Sequence, residues 1–246
     1  MTYLVLMPSF NTGPVLLDTV RAVRAAFAPL WVVLDGSTDG SAAALAALPP
    51  DPGLRVLALP RNRGKGAAVL HGLRLAAAEG FTHCVTVDAD GQHPAAAIPA
   101  FVAASRAAPG AMVLGVPEFG PDAPMLRVRG RRISNWWANF ETLGAGIGDS
   151  LFGLRVYPIA PLLTIMERQR WMRRFDFDPE AAVRLCWAGV RPVNLPAPVR
   201  YLRPEEGGVS HFRYGRDNLL LIGMHARLAL GLLPRLPGLL RAAARR

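Results

Sequence analysis

The chain has 246 residues, enough to bury one full core, with 51% hydrophobic residues and a net charge of +10. No unbroken run of about 20 apolar residues occurs, so a conventional membrane-spanning helix is not expected. Cys84 and Cys186 are the only cysteines and lack metal-ligand spacing, which excludes a disulfide framework and fits a reducing cytoplasm.

The N-terminus has no basic segment and no small-residue cleavage site, and reads as a first strand, not a signal peptide. Short apolar runs at residues 3–7, 30–34, 54–59, 83–87 and 111–116 predict strands. Helical patterns lie between them over 14–27, 41–48, 66–79 and 94–107. In the first, Leu16, Val20, Val23 and Phe27 make one apolar stripe. Gly80 stands where a helix C′ glycine belongs, and Pro109-Gly110 is a stop signal. Strands alternating with helices predict an α/β fold, a mainly parallel sheet with ligands outside the strands' carboxyl ends.

The second half is less regular. A basic cluster over 127–132 leads into a helix over 133–143 that carries Trp136 and Trp137. Residues 151–157 read as a strand, 179–187 as a helix ended by Gly189, and 191–202 as a proline-broken edge segment. Residues 219–233 are apolar but interrupted by His225 and Arg227. They read as too short and too polar to span, with Pro234 and Pro237 breaking the chain beyond them.

Polar residues cluster directly after the strands. After the first come Pro8, Ser9, Asn11 and Thr12; after the second, Asp35-Gly36-Ser37-Thr38-Asp39-Gly40. After the third comes Asn62-Arg63-Gly64-Lys65-Gly66, and after the fourth Asp88-Ala89-Asp90-Gly91-Gln92-His93-Pro94. Asp88 and Asp90 can both face one hard divalent cation, Gln92 adds a third oxygen, and Mg²⁺ or Mn²⁺ would complete its shell with substrate phosphates. Asp35 can accept from a base N–H or a ribose hydroxyl. Gly64 and Gly66 permit close backbone approach at a helix N-terminus, where free N–H groups favour anions.

Any one of these loops is ordinary turn chemistry, but four at four successive strand ends point to a nucleotide site. The P-loop and dinucleotide signatures are both absent. Asp39 reads as a helix cap, and Lys65 as a phosphate partner or a solvated cation. His71 and His83 read as structural, and His211 lies in a candidate site loop. Trp136, Trp137 and Trp187 read as core or interface more than as an acceptor platform. Asp176, Asp178 and Glu180 complement a helix dipole, with Asp178 or Glu180 as a candidate substrate contact.

The four loops in this order resemble family 2 glycosyltransferases of the GT-A fold, over roughly residues 3–210. The D-A-D-x-Q-H-P form is similar to the dolichyl- and polyprenyl-phosphate sugar synthase branch. Asp149-Ser150-Leu151-Phe152-Gly153-Leu154-Arg155 resembles that branch's D-x-x-x-G-F-R element. The resemblance implies a Rossmann-like sheet with helices on both faces. It divides the chain into a GT-A domain at 1–215 and a basic amphipathic tail at 216–246.

The implied activity is metal-dependent, inverting transfer from an NDP-sugar to a lipid or lipid-phosphate acceptor at the cytoplasmic face of the cell membrane. Pro8, Asn11, Asp35, Ser37, Lys65, Asp88 and Ala89 would meet the nucleotide-sugar, and Asp88, Asp90 and Gln92 the Mg²⁺ or Mn²⁺. Arg131, Ser134, Arg155, Arg203 and Ser210 would meet the acceptor or its phosphate. A phosphate acceptor is already anionic and needs no strong base; for a hydroxyl acceptor Asp149 is the first candidate, with Glu180 behind it.

The sequence also departs from the family. Leu34 replaces the first of a usual pair of acids, and Gly115-Val116-Pro117 replaces an expected Ser-Arg, which weakens the inferences on base identity and on a polyprenyl-phosphate acceptor. The segments at 209–213 and 216–218 suggest another acceptor. Residues 201–246 hold eight arginines against three acids, which suits peripheral contact with an anionic membrane. No nucleic-acid partner is expected. The alternatives are a sugar-phosphate nucleotidyltransferase, or a non-catalytic protein that binds sugar-nucleotide or nucleic acid.

Overall fold

The computed structural model describes residues 1–120, 125–199 and 213–243, and seven strands there form one sheet in the order β3-β2-β1-β4-β6-β5-β7. β1 (Tyr3–Ser9), β2 (Leu30–Asp35), β3 (Leu54–Leu59) and β4 (His83–Thr86) run parallel. β5 (Met112–Phe119) and β7 (Pro192–Val199) are parallel to each other, whereas β6 (Arg155–Pro158) runs antiparallel to both β4 and β5. The strand expected over 151–157 is therefore only its last three residues plus Pro158. β7 lies at the sheet edge, where its prolines need no ladder partner on the open side.

Among the described residues nine helices surround the sheet: α1 (Val15–Ala26), α2 (Ser41–Ala46), α3 (Lys65–Ala78), α4 (Ile98–Ala107), α5 (Met125–Glu141), α6 (Ile159–Arg168), α7 (Phe177–Trp187), α8 (Tyr214–Leu232) and α9 (Leu236–Ala243). The sheet separates two cores. Leu4, Leu6, Trp31 and Val33 face α3, α6 and α7 on one side. Tyr3, Val5, Met7 and Val32 face α1 and α4 on the other. Side chains alternate across a strand, so β1, buried on both faces, reads as one continuous apolar run. This is the expected α/β arrangement, a mainly parallel sheet with helices on both faces.

Three elements differ from expectation. α5 starts eight residues earlier than the predicted helix and absorbs the basic cluster. α6 has no counterpart among the predicted helices; its Ile159, Leu162 and Met166 are buried at helical spacing, and Pro161 falls in the first turn, where proline is tolerated. The C-terminal helical segment does not stop at Leu233. Pro234 and Pro237 lie at the starts of the short 3₁₀ turn Leu233–Arg235 and of α9, so the chain continues helical to Ala243. By length and composition alone, Gly215–Arg241 is long and apolar enough to cross a membrane. Its inner face, however, carries Met224 and Leu228 into the core beside α7.

Candidate active site

The loops after β1, β2 and β3 are bound to one another before any ligand arrives. Asn11, at φ 45°, accepts from the Thr38 amide at 2.7 Å, while its own amide donates to Ser37 Oγ at 3.1 Å. Asp39 accepts from the Gly13 amide at 2.8 Å and from the Ser41 amide at 3.1 Å, tying the same two loops at the start of α2. Asp35 is buried, and its oxygens accept from the Arg63 and Gly64 amides at 2.9 and 2.7 Å. These bonds give Asp35 a loop-holding role and use one acceptor site on each of its oxygens. Pro8 is buried on β1 beside Val33, and Ala89 is buried in the α1/α4 core. Of the expected nucleotide contacts, Asn11 and Ser37 stand partly open at the sheet's carboxyl rim.

Gly64 and Gly66 press the loop before α3 against residues 172–174. Gly64 has φ 101°, and a Cβ there would overlap Arg173 O; one at Gly66 would overlap Met172 O. This contact carries Lys65 to α7. Its Nζ lies 2.6 Å from Asp88 Oδ1 and 2.6 Å from Asp178 Oδ2. His93 Nε2 lies 3.1 Å from Asp88 Oδ2, and His93 meets Phe152 edge to face at 4.4 Å. Burial alone would raise the Asp88 carboxyl, but Lys65 and His93 hold it well below the usual carboxylate range. Burial would lower the Lys65 ammonium, yet Asp178 and Asp88 push it above its ordinary value. Asp90 is shifted the other way, raised by burial and then by the charge of Asp88. Gln92 contributes its backbone N–H, which donates to Asp90 Oδ1 at 3.1 Å.

β6 runs backwards, so the turn that feeds it meets the end of β4. Gly153 packs so closely on Asp88 that a Cβ would overlap Oδ2. The same turn holds Asp149, whose Oδ1 accepts from Arg131 at 2.5 Å and from the Leu151 and Phe152 amides at 2.9 and 2.7 Å. Asp149 Oδ2 accepts from Asn135 Nδ2 at 3.2 Å. Arg155 is fully buried. It donates to Phe152 O and Asp178 O, each at 2.6 Å, and to the Tyr157 hydroxyl at 2.9 Å. Its guanidinium is a strut joining β6, the 149–153 turn and α7, and it does not reach the cleft as an acceptor contact.

Glu180 is not brought into this cluster. Its two oxygens pair with Arg184 at 2.7 Å and with Arg227 of α8 at 2.6 Å, and Arg227 also lies over the Trp171 ring at 4.3 Å. Arginine thus engages both oxygens of Glu180 but only Oδ1 of Asp149, whose Oδ2 keeps one contact, from Asn135. Ser134 is buried, within hydrogen-bonding reach of Ser150 Oγ at 3.0 Å. Arg203 and Ser210 lie outside the described residues.

The sequence reading named Asp178 with Glu180 as a candidate substrate contact, and the structure brings Asp178 to Lys65; it passed over His225, read as an interruption of an apolar run. Gly153 escaped too, because its need for close approach is visible only once Asp88 is beside it. Among the described residues, Asp178 Oδ1, His93 Nδ1 and Arg131 Nε are buried without a hydrogen-bond partner. Buried groups of this kind are rare in finished structures and mark places where a ligand can bind.

Asp88 and Asp90 offer hard oxygen donors of the kind Mg²⁺ and Mn²⁺ prefer. Among the described residues no group of three or more His, Cys, Asp or Glu side chains could hold a metal without help. A two-carboxylate set fits a cation that takes its remaining oxygens from a substrate diphosphate.

Comparison with known proteins bears on family and fold. The chain is 28% identical over 211 residues to the undecaprenyl-phosphate mannosyltransferase of Micrococcus luteus, spanning 80% of this chain and 82% of that one. It is 32% identical over 164 residues to an undecaprenyl-phosphate 4-deoxy-4-formamido-L-arabinose transferase of Enterobacter sp. (strain 638), covering 62% of this chain and 47% of that one. Glucosyl-3-phosphoglycerate synthase from Mycobacterium tuberculosis, solved with Mn²⁺, UDP and glucosyl-3-phosphoglycerate, superposes with a TM-score of 0.61 at 21% identity. That match covers 95% of this chain and 79% of the synthase, and shows the GT-A fold. Residues 4–162 match the sequence description of Glycosyl transferase family 2, and the chain belongs to that family.

Proposed function

We propose that this glycosyltransferase moves a sugar, with inversion, from an NDP-sugar to a polyprenyl phosphate or closely related lipid phosphate at the cytoplasmic face of a membrane. The observation that carries the reading is the pairing of an acidic donor clamp with an arginine across one turn. Asp88 packs on Gly153, and four residues earlier Asp149 presents Arg131, whose buried Nε has no partner among the described residues. A phosphate oxygen would satisfy that donor. The names of the two curated relatives support an undecaprenyl-phosphate acceptor.

Asp88, Asp90 and Gln92 would hold Mg²⁺ or Mn²⁺, which supplies charge neutralisation for the departing diphosphate. Lys65 sits beside them as a fixed cation, preorganised for the same developing charge. The acceptor phosphate oxygen attacks the anomeric carbon in line as the bond to the diphosphate breaks. That oxygen is already anionic, so no proton need be removed, consistent with Asp149 and Glu180 both being held by arginines. Arg131 orients the acceptor, and Asp149 fixes Arg131.

The outer surface supports membrane contact. Ile133, Trp136 and Phe140 stand at i, i+3 and i+7 on α5 and are exposed, as are Leu219, Ile222, Leu230 and Leu233 on α8 and just beyond it. Trp137, in edge contact with Trp136 and Phe140, stacks on His225 of α8, so the exposed apolar stripes flank one seam. Arg129, Arg132, Arg213 and Arg216 are exposed on the same two segments. Each could contribute about 1 kcal/mol at an anionic surface. Arg227 and His225 pin α8 to the domain, which supports a helix lying along the interface over one that spans it. Cosedimentation with phosphatidylglycerol vesicles should be strong at low salt and fall several-fold on Trp136→Ser with Ile222→Ser. Equal binding to neutral vesicles would remove the electrostatic part.

A thermal-shift screen of UDP-, GDP- and dTDP-sugars tests the donor reading. One donor at about 100 times its Kd should add roughly 2.7 kcal/mol of stability, and only with Mn²⁺ or Mg²⁺ present. Transfer from that donor to undecaprenyl phosphate completes the test. If no nucleotide-sugar stabilises the protein with either metal, the reading fails.

A further inference from the structure

We propose that His225, carried by the C-terminal helix α8, is a positioning residue for the acceptor side of the cleft, acting through Ser134. The inference rests on the reading of Arg131 and Ser134 as acceptor contacts. It assigns to the tail a part in the active site besides membrane attachment.

The contacts form one buried chain. Glu141, at the end of α5, has no exposed surface, and its Oε1 lies 2.9 Å from His225 Nδ1. Nδ1–H donates to the carboxylate, which turns the other ring nitrogen, Nε2, to Ser134 Oγ at 3.4 Å. Ser134 Oγ lies 3.0 Å from Ser150 Oγ, and Ser150 Oγ lies 2.7 Å from Asn135 Oδ1. Asn135 then donates to Asp149, which holds Arg131. A path of hydrogen bonds therefore joins the tail helix to the arginine with the unpartnered donor.

The orientation of each member is set by the next. Asn135 Oδ1 accepts the Ser150 amide at 2.8 Å, while its NH₂ group faces Gly148 O and Asp149, so the Asn135 amide has one orientation. The Ser134 hydroxyl donates to His225 Nε2 and accepts from Ser150 Oγ, while the Ser150 amide holds Asn135 Oδ1. The Ser134 hydroxyl is then placed by Ser150 and His225 together. Trp137 stacks on the His225 ring at 6.0 Å and 28°, restricting its rotation.

Two features argue against a purely structural histidine. Among the described residues Glu141 Oε2 is buried without a partner, so the carboxylate–imidazole pair is only half satisfied there. A half-satisfied interior pair is a poor device for stability alone. The network also ends on Arg131, whose side chain is partly exposed, and not on another core atom.

A double-mutant cycle tests the proposal. His225→Ala, Ser134→Ala and the double variant are titrated calorimetrically with undecaprenyl phosphate in detergent micelles. Binding of UDP and GDP with Mn²⁺ and thermal stability are measured in parallel. Each single variant should weaken undecaprenyl phosphate binding about tenfold. The double variant should be no weaker than the weaker single, with nucleotide binding unchanged. Additive losses, or full acceptor affinity in His225→Ala, overturn the proposal while the acceptor reading stands. Silence of both Ser134→Ala and Arg131→Ala removes the acceptor reading, and this inference with it. Should His225→Ala fail to fold, the isosteric Glu141→Gln is read in the same cycle. A partial loss that disappears in the Ser134→Ala background supports the role, and undiminished affinity overturns it.

Discussion

Asp90→Ala is expected to lower kcat/KM for sugar transfer by about 10²- to 10³-fold, the loss typical of removing one preorganised electrostatic contact to a developing charge. It should do so without cost to the fold. Asp90 is raised by burial and by the charge of Asp88, so its carboxylate opposes the native state in the absence of a cation. Its one protein hydrogen bond among the described residues is from the Gln92 amide in its own loop. The melting temperature of Asp90→Ala should therefore equal or exceed that of the wild type, while Mn²⁺ no longer enhances donor binding. Loss of activity with gain of stability is the signature of a residue retained for chemistry. Full transfer by Asp90→Ala, with wild-type activity indifferent to chelation, would sink the metal assignment.

Lys65→Met is the second large effect, and it is expected mainly in stability. Its ammonium is the shared counter-ion of Asp88 and Asp178, and the side chains of Lys65 and Asp178 are only 12% and 6% exposed. Methionine fills the same space and leaves two carboxylates facing each other in the interior. Asp178 would then keep neither oxygen partnered, since Oδ1 already has none. Breaking a buried ion pair by removing one partner costs about 3–5 kcal/mol. For a domain of this size that is a fall in melting temperature of roughly 6–20 °C. Calorimetry on the purified variant checks it, and a shift under about 2 °C would show that solvent screens the cluster. Sugar transfer should fall as well, because the donor clamp loses its resident cation.

Much of this architecture could be read directly from residue order. β1 to β4 stand out because apolar runs end in polar loops, and those loops sit at the sheet's carboxyl rim. Side-chain partners were far less legible. Asp35, Asp149, Arg155 and Glu180 stand out in the sequence as chemistry-bearing types. Whether such a group is free depends on partners 18 to 47 positions away for Asp149 with Arg131 and Glu180 with Arg227, and no spacing rule encodes that. Arg155 reads as a phosphate ligand until β6 reverses direction and buries it. His225 was hidden for the opposite reason. A lone polar residue in an apolar helix reads as a flaw in the stripe until Glu141 and Ser134 are beside it. The Asp88–Pro94 loop was legible because its chemistry is local, with two carboxylates two residues apart at one strand end.

The chain meets its need for positive charge with arginine at every position but one. Guanidinium groups keep their protons under all ordinary conditions, so the basic surface is permanent and carries no side-chain amine nucleophile. The one lysine sits between two carboxylates that hold its proton in place. Apart from the N-terminus, the protein therefore presents no neutral amine to an activated sugar. A glycosyl donor held beside Asp88 would meet no neutral side-chain amine able to capture it.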